Sequence, residues 1–243
     1  MTTFLRPSLV LLLAATPSFA AVVVNTNAEL GPGGVGSTFT PSYVVSSTDL
    51  INGMTPSAFA GNFAATELTG GLPVMTDGSY GVITEPGGAV DRTHGAFGIA
   101  GGGGGTGTSV TYSLTGSPLG YNISSVAVYG GWNDNGRDQQ LYTFSYSVVG
   151  DAGFVTLPLT VNFDSGAPPN LQVANRTILT ENALPFIATN VDAVRFDFPA
   201  GVENGYTGYA ELDVIGVAVP EPGSVLLAGA GIAGLMLRRR RHA

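Results

Sequence analysis

The sequence has no cysteine and no lysine, and only two histidines and one tryptophan in 243 residues. Without cysteine there are no disulfides and no thiolate metal sites, so the fold depends on its core or on a bound ion. All nine basic residues are arginines. Arg238, Arg239, Arg240 and Arg241 crowd near the C-terminus, and Arg6 lies near the N-terminus. Between Ala21 and Val219, four arginines face 16 acids, a net charge of −12. Such a surface repels nucleic acid, which is excluded as a partner.

The shortage of histidine narrows the chemistry further. His94 is the only one outside the tail, in the stretch Asp91-Arg92-Thr93-His94-Gly95, so no histidine pair exists to hold zinc. A Ser-His-Asp triad would have to use His94. No G-x-S-x-G nucleophile turn occurs, since Gly78-Ser79-Tyr80-Gly81 has the wrong spacing. A carboxylate pair of the glycosidase kind stays open among 16 acids. A non-catalytic protein is therefore expected, with a polysaccharide-acting hydrolase and a purely structural matrix protein as the competing classes.

Charged residues make up 11% of the chain, while 36 glycines and 15 prolines exclude long helices. What is abundant is period-2 alternation. Val110, Tyr112 and Leu114 share one face, as do Tyr142, Phe144, Tyr146 and Val148. Val155, Leu157, Leu159 and Val161 alternate, and so do Val194, Phe196 and Phe198. Ala210, Leu212 and Val214 are expected on one side of a strand, with Glu211 and Asp213 on the other. This pattern, punctuated by turns at Gly116-Ser117-Pro118, Asn133 to Gly136, Gly150-Asp151 and Ala167 to Asn170, predicts half-buried antiparallel strands in a β-sandwich or jelly roll. Gly101 to Gly105 reads as a surface loop, since it lacks the Lys-Ser/Thr of a phosphate cradle.

The two ends read as targeting segments. Arg6, the apolar run Leu9 to Ala15 and Ser18-Phe19-Ala20 have the order of a secretory signal peptide, with cleavage after Ala20. At the other end, Pro220-Glu221-Pro222 precedes an uncharged stretch from Gly223 to Leu237 and the four arginines. As a helix those 15 residues reach about 22 Å, short of a hydrocarbon core of ~30 Å. Snorkelling arginines and local thinning cover the difference, and the arginine cluster stops transfer and stays cytoplasmic. Gly229-Ala230-Gly231-Ile232-Ala233-Gly234 matches G-x-G-x-x-G, but no second strand with its acid follows, so a dinucleotide site is excluded.

This C-terminal arrangement resembles the PEP-CTERM sorting signal of Gram-negative bacteria. The resemblance implies recognition by an exosortase, processing near Pro220, Glu221 and Pro222, transient membrane anchoring, and delivery to the cell surface or an exopolysaccharide matrix. An ordinary C-terminal anchor is the alternative.

The body carries a second resemblance. Ile123 to Val149, Asn190 to Phe198, Tyr209 to Val217 and the upstream Asp49-Leu50-Ile51-Asn52-Gly53 and Met75-Thr76-Asp77-Gly78 are similar, in that combination, to galactose-binding-like domains of the discoidin or coagulation-factor C-terminal type. The early tryptophan of that family is missing, and the glycine-rich insert departs from it. The resemblance implies sugar binding by loops at one end and a structural calcium joining Asp77 to Glu211. Trp132 sits in a Gly-Gly-Trp-Asn-Asp-Asn-Gly-Arg-Asp turn, with Tyr129 upstream, Asp134 inside it and Arg137 after it. Aromatic faces stack on sugars, and Asp and Arg bond hydroxyls. The alternative is that Trp132 packs over the sandwich edge and Arg137 pairs with an acid. The expected organisation is a signal peptide (1–20), an all-β domain (21–218) and a sorting signal (219–243) with a helix over about 223–237 and a basic tail at 238–241.

Overall fold

A computed structural model describes residues 21–33, 37–61, 63, 70–84, 96–99, 108–133, 136–198, 206–221 and 223. The signal peptide with Ala20, His94, the Gly101 to Gly105 run, Asp134, Pro222, the apolar C-terminal stretch beyond Gly223 and Arg238 to Arg241 lie outside the described residues.

Thirteen strands appear among these residues: β1 (Val22–Leu30), β2 (Thr38–Phe39), β3 (Ala58–Ala60), β4 (Ile83–Thr84), β5 (Ala96–Ile99), β6 (Thr108–Ser113), β7 (Tyr121–Trp132), β8 (Gln140–Val148), β9 (Phe154–Thr156), β10 (Val161–Phe163), β11 (Val173–Glu181), β12 (Ala188–Phe198) and β13 (Tyr206–Ala218). A 3-10 turn spans Leu72–Thr76. Every strand pair is antiparallel.

Apart from the separate β2–β4 pair, the pairings form two layers. One runs β1-β11-β7-β13-β5, and the other β3-β6-β12-β8, with β9 and β10 both on the outer edge of β8. At one corner the start of β12 crosses to β7, placing Ala188 beside Ile123 and Val191 beside Tyr121. Between the layers lies the main core. Val126, Val128, Leu179, Leu212 and Val214 come from the first layer, and Val110, Tyr112, Tyr142, Phe144, Val194, Phe196 and Phe198 from the second. The aromatic rings interlock, as in the edge-on contact of Phe144 with Phe196 at 5.2 Å. The chain is thus a β-sandwich, and alternation dictates which residues fill it.

Two readings of alternation need correction. Val155 to Val161 forms two short strands, because Pro158 has no N–H to give a ladder. Leu157 and Val161 are buried while Val155 is exposed. In β13 the register shifts between Tyr209 and Glu211. Ala210 therefore joins a second apolar cluster with Tyr80, Ala127 and Tyr129, whereas Leu212 and Val214 face the main core.

That second cluster lies on the outer face of the first layer. Two stretches of the N-terminal part, 38–50 and 77–84, joined by the pairing of β2 with β4, form a strap over it, contributing Phe39, Tyr43, Val45, Tyr80 and Ile83. This strap is what turns an ordinary sheet face into a buried, chemically mixed surface.

Candidate functional site

Under the strap, β13 presents Glu211 and Asp213 on the side away from the main core. Leu50 N–H donates to the carbonyl of Val214 at 2.9 Å, so the strap adds its own backbone to β13. This brings Asp49 alongside. One carboxylate oxygen from each of Asp49, Glu211 and Asp213 lies within 4.8 Å of the others. Glu211 is 0% exposed and Asp213 2%.

Each acid has one oxygen tied to backbone and one left over. Asp49 Oδ1 accepts from Ile51 N–H at 2.9 Å and Val214 N–H at 3.2 Å. Asp213 Oδ2 accepts from Ser46 N–H at 2.8 Å, and Glu211 Oε1 from Gly78 N–H at 3.2 Å. The remaining oxygens, Asp49 Oδ2, Glu211 Oε2 and Asp213 Oδ1, are buried without a hydrogen-bond partner. Gly78 is required here. Its φ is 76°, and a Cβ would meet Asn52 Oδ1 at 2.7 Å.

Burial raises all three carboxyls above the usual carboxylate range. Glu211 is pushed up to about 9, first by burial and then by the charges of Asp213, Asp77 and Asp49, against the Gly78 bond. Asp213 rises to about 6, by burial and the charge of Asp49. Asp49 rises through burial as well. Two buried acids and a half-buried one, with three orphaned oxygens and no cation among the described contacts, form a donor set of hard oxygens, the kind that suits calcium.

Asp77 stands outside this set. Its Oδ1 accepts from Ser79 N–H at 2.9 Å, shaping the turn that delivers Gly78 to Glu211. The expected Asp77–Glu211 pairing is therefore indirect, and Asp49 and Asp213 supply the nearby carboxylates. The Glu-Leu-Asp alternation signalled that Glu211 and Asp213 share a face; nothing local signalled Asp49.

The residues expected to meet sugar are divided. Tyr129 is 4% exposed, with Tyr43 and Tyr80 at ring distances of 6.1 and 6.3 Å. Its hydroxyl donates to the carbonyl of Val44 at 3.3 Å. The strap covers this ring, so Tyr129 belongs to packing rather than to a ligand surface. Trp132 and Arg137 do come together: the guanidinium carbon sits 5.2 Å from the indole centroid. Both are half-buried at the end of β7. Trp132 lies close against Gly208, whose Cβ would approach the indole to 3.2 Å, and Gly208 N–H donates to the Arg137 carbonyl at 2.9 Å.

Past β13 the described chain continues through 219–221 and Gly223. Val219 N–H makes a bond to Gly120 at 2.9 Å, and Pro220 and Glu221 beyond it are exposed.

Fold and site define a β-sandwich with a carboxylate cluster strapped to one face. Residues 218–241 match the PEP-CTERM protein-sorting motif, so the chain carries that motif directly after its last strand. The motif implies an exported protein handled by an exosortase. No curated protein matches the chain. Among solved structures it is similar to a CBM32 module from Clostridium perfringens in complex with GalNAc-β-1,3-galactose. There the identity is 19% and the TM-score 0.40, covering 65% of this chain and 92% of that one. It is also similar to the C-terminal domain of a chitobiase from Bacteroides fragilis, at 16% identity and TM-score 0.44 over 68% and 95% of the two chains. A third is an F5/8 type C domain from Bacteroides fragilis, at 15% identity and TM-score 0.39 over 67% and 92%.

Proposed function

We propose that the chain is a non-catalytic protein of the Gram-negative cell surface or exopolysaccharide matrix, released from its signal peptide after Ala20 and processed at its C-terminus by an exosortase-type enzyme. The observation that carries this reading is the sorting motif over 218–241, placed where Pro220 and Glu221 stand exposed just past the last strand. The apolar stretch and Arg238 to Arg241 would hold the chain in the inner membrane until processing. Mass spectrometry of the protein recovered from the producing cells tests it. The expected species begins at Ala21 and lacks the residues beyond the Pro-Glu-Pro segment. A chain intact through Ala243 overturns the reading.

Two finer features belong to it. The orphaned oxygens of Asp49, Glu211 and Asp213 support a structural calcium, which would supply the positive charge the cluster lacks and tie the strap to β13. Carbohydrate is the ligand class suited to Trp132, which offers part of an aromatic face, and to Arg137, which offers donors. Trp132→Ala is expected to lose retention on the host's own exopolysaccharide while its melting temperature stays near that of the parent protein. Undiminished retention would remove carbohydrate binding from this end of the sandwich.

A further inference from the structure

β1 is one of two long sheet edges among the described residues; the other, β13 beyond its four-residue pairing with β5, already takes the Leu50 N–H at its Val214 carbonyl and gives its Val214 N–H to Asp49. The remaining edges are short: β5 has four residues, and β3, β9 and β10 have three each. Short edges are a standard defence against unwanted strand pairing. β1 has nine residues, and it pairs with β11 from Val22↔Glu181 to Leu30↔Val173 without a register shift. Among the described residues, no strand pairs with its second edge. The edge contains no proline, no arginine and no bulge. Its one charge, Glu29, is turned to the strap, where Ser42 N–H and Oγ donate to its two oxygens at 2.8 and 2.5 Å. Nine residues present a ladder about 30 Å long.

The sequence of this edge, Val-Val-Val-Asn-Thr-Asn-Ala-Glu-Leu, is nearly symmetric in chemistry about Thr26. Val22 and Val24 pack against the main core, which places Thr26, Ala28 and Leu30 on the same side. An antiparallel partner strand of the same sequence, related by a two-fold axis at Thr26, sets Val22 against Leu30, Val24 against Ala28 and Thr26 against Thr26. On the other side Asn25 meets Asn27 and Val23 meets Glu29. Apart from the Val23–Glu29 pair near each end, apolar residues meet apolar ones, and hydroxyls and amides meet their own kind, the pairs that favour adjacent strands. Leu30 is 48% exposed and Val23 36%, so both have surface left to cover. The two Glu29 side chains would fall about 20 Å apart, at opposite ends of the ladder. On a body of net charge −12, this strip carries a single charge per copy, so two copies can approach along it.

We infer that the free edge of β1 pairs antiparallel with the β1 edge of a second copy, joining the first layers of two molecules into one continuous sheet. The interface is isologous, so every contact occurs twice and the assembly closes at a dimer. This inference stands apart from the sorting, calcium and carbohydrate readings.

Thr26 provides the test because it is exposed and meets itself across the axis. The protein purified after export is examined by sedimentation velocity and light scattering over a concentration series. The parent protein is expected to be a dimer. Thr26→Lys and Thr26→Glu each set like charges face to face and are expected to raise the dimer dissociation constant by roughly tenfold or more. An equal mixture of the two variants is expected to recover the dimer as a heterodimer. Melting curves matching the parent's show that both variants are folded. A monomeric parent protein, variants that dimerise as the parent does, or a mixture that stays monomeric would each overturn the inference.

Discussion

The first layer of the sandwich buries polar groups on both faces, and the two faces solve the problem differently. On the core side, Gln140, Asn175, Thr177 and Tyr142 bond one another. Gln140 Nε2 donates to Asn175 Oδ1 at 2.6 Å and to the Val128 carbonyl at 3.1 Å. Thr177 Oγ1 donates to Gln140 Oε1 at 2.7 Å and lies 2.7 Å from the Tyr142 hydroxyl. Asn175 Nδ2 donates to the Asp138 carbonyl. These groups are neutral, and the set supplies its own partners. On the strap side, Asp49, Glu211 and Asp213 have only acceptors when ionised, and each keeps an orphaned oxygen. The contrast distinguishes a structural network from a site: the first is complete, and the second needs something from solvent, either protons or a cation.

The largest expected effect follows from that need. In metal-free protein, Glu211 holds its proton up to about pH 9 and Asp213 up to about 6. In the unfolded chain both ionise at the usual carboxylate values, near pH 4. The folded-state values are raised, so the stability due to protonation is fully present below about pH 4 and is lost as pH rises towards 9. In EDTA, melting temperature should therefore fall from pH 5 to pH 9, by a loss on the order of several kcal/mol. Millimolar calcium binds the ionised cluster, so it should flatten that slope and give its largest gain at the alkaline end. Glu211→Gln removes a charge at nearly constant volume. It should weaken the calcium response and raise the melting temperature in EDTA at pH 8 above that of the parent. A pH profile in EDTA that is flat, or unchanged by calcium, would reduce the cluster to three neighbouring acids.

Legibility in the sequence divides along similar lines. Val110, Tyr112, Val194, Phe196 and Phe198 were readable as core because a strand's period of two reports burial directly. It misreports where a local event breaks the period, as Pro158 does between β9 and β10 and the register shift does at Ala210. Glu211 and Asp213 were readable as a same-face pair. Asp49 was not readable as their neighbour, because the bond from Leu50 to Val214 joins positions far apart in the chain. The same strap misled the reading of Tyr129. That residue lies on the outer face of the first layer, but Tyr43 and Tyr80 close over it.

The core-side network gives the next effect. Gln140→Leu leaves the Gln140-facing groups of Asn175 and Thr177 without that partner, and each buried orphan costs about 1–3 kcal/mol. The melting temperature should drop by the same amount in EDTA and in calcium. A drop that calcium repairs would mean the two faces are coupled, and the contrast between them would fail.

The smallest effect belongs to a charge that needs nothing further. Arg195 and Asp197 form an ion pair at 2.5 Å on β12, with side chains 41% and 34% exposed. Arg195 Nε also donates to the same oxygen at 3.0 Å. Here the acid has its own cation and water around it, so neither burial nor an orphaned oxygen creates a demand. Exposed pairs contribute about 0–1 kcal/mol, and salt screens them. Asp197→Ala should therefore lower stability by less than about 1 kcal/mol, by a margin that shrinks in high salt and is the same with or without calcium. A larger loss, or one that calcium alters, would show that exposure and an internal partner do not suffice to silence an acid in this fold. The distinction drawn for Glu211 would then have to rest on the cluster's geometry alone.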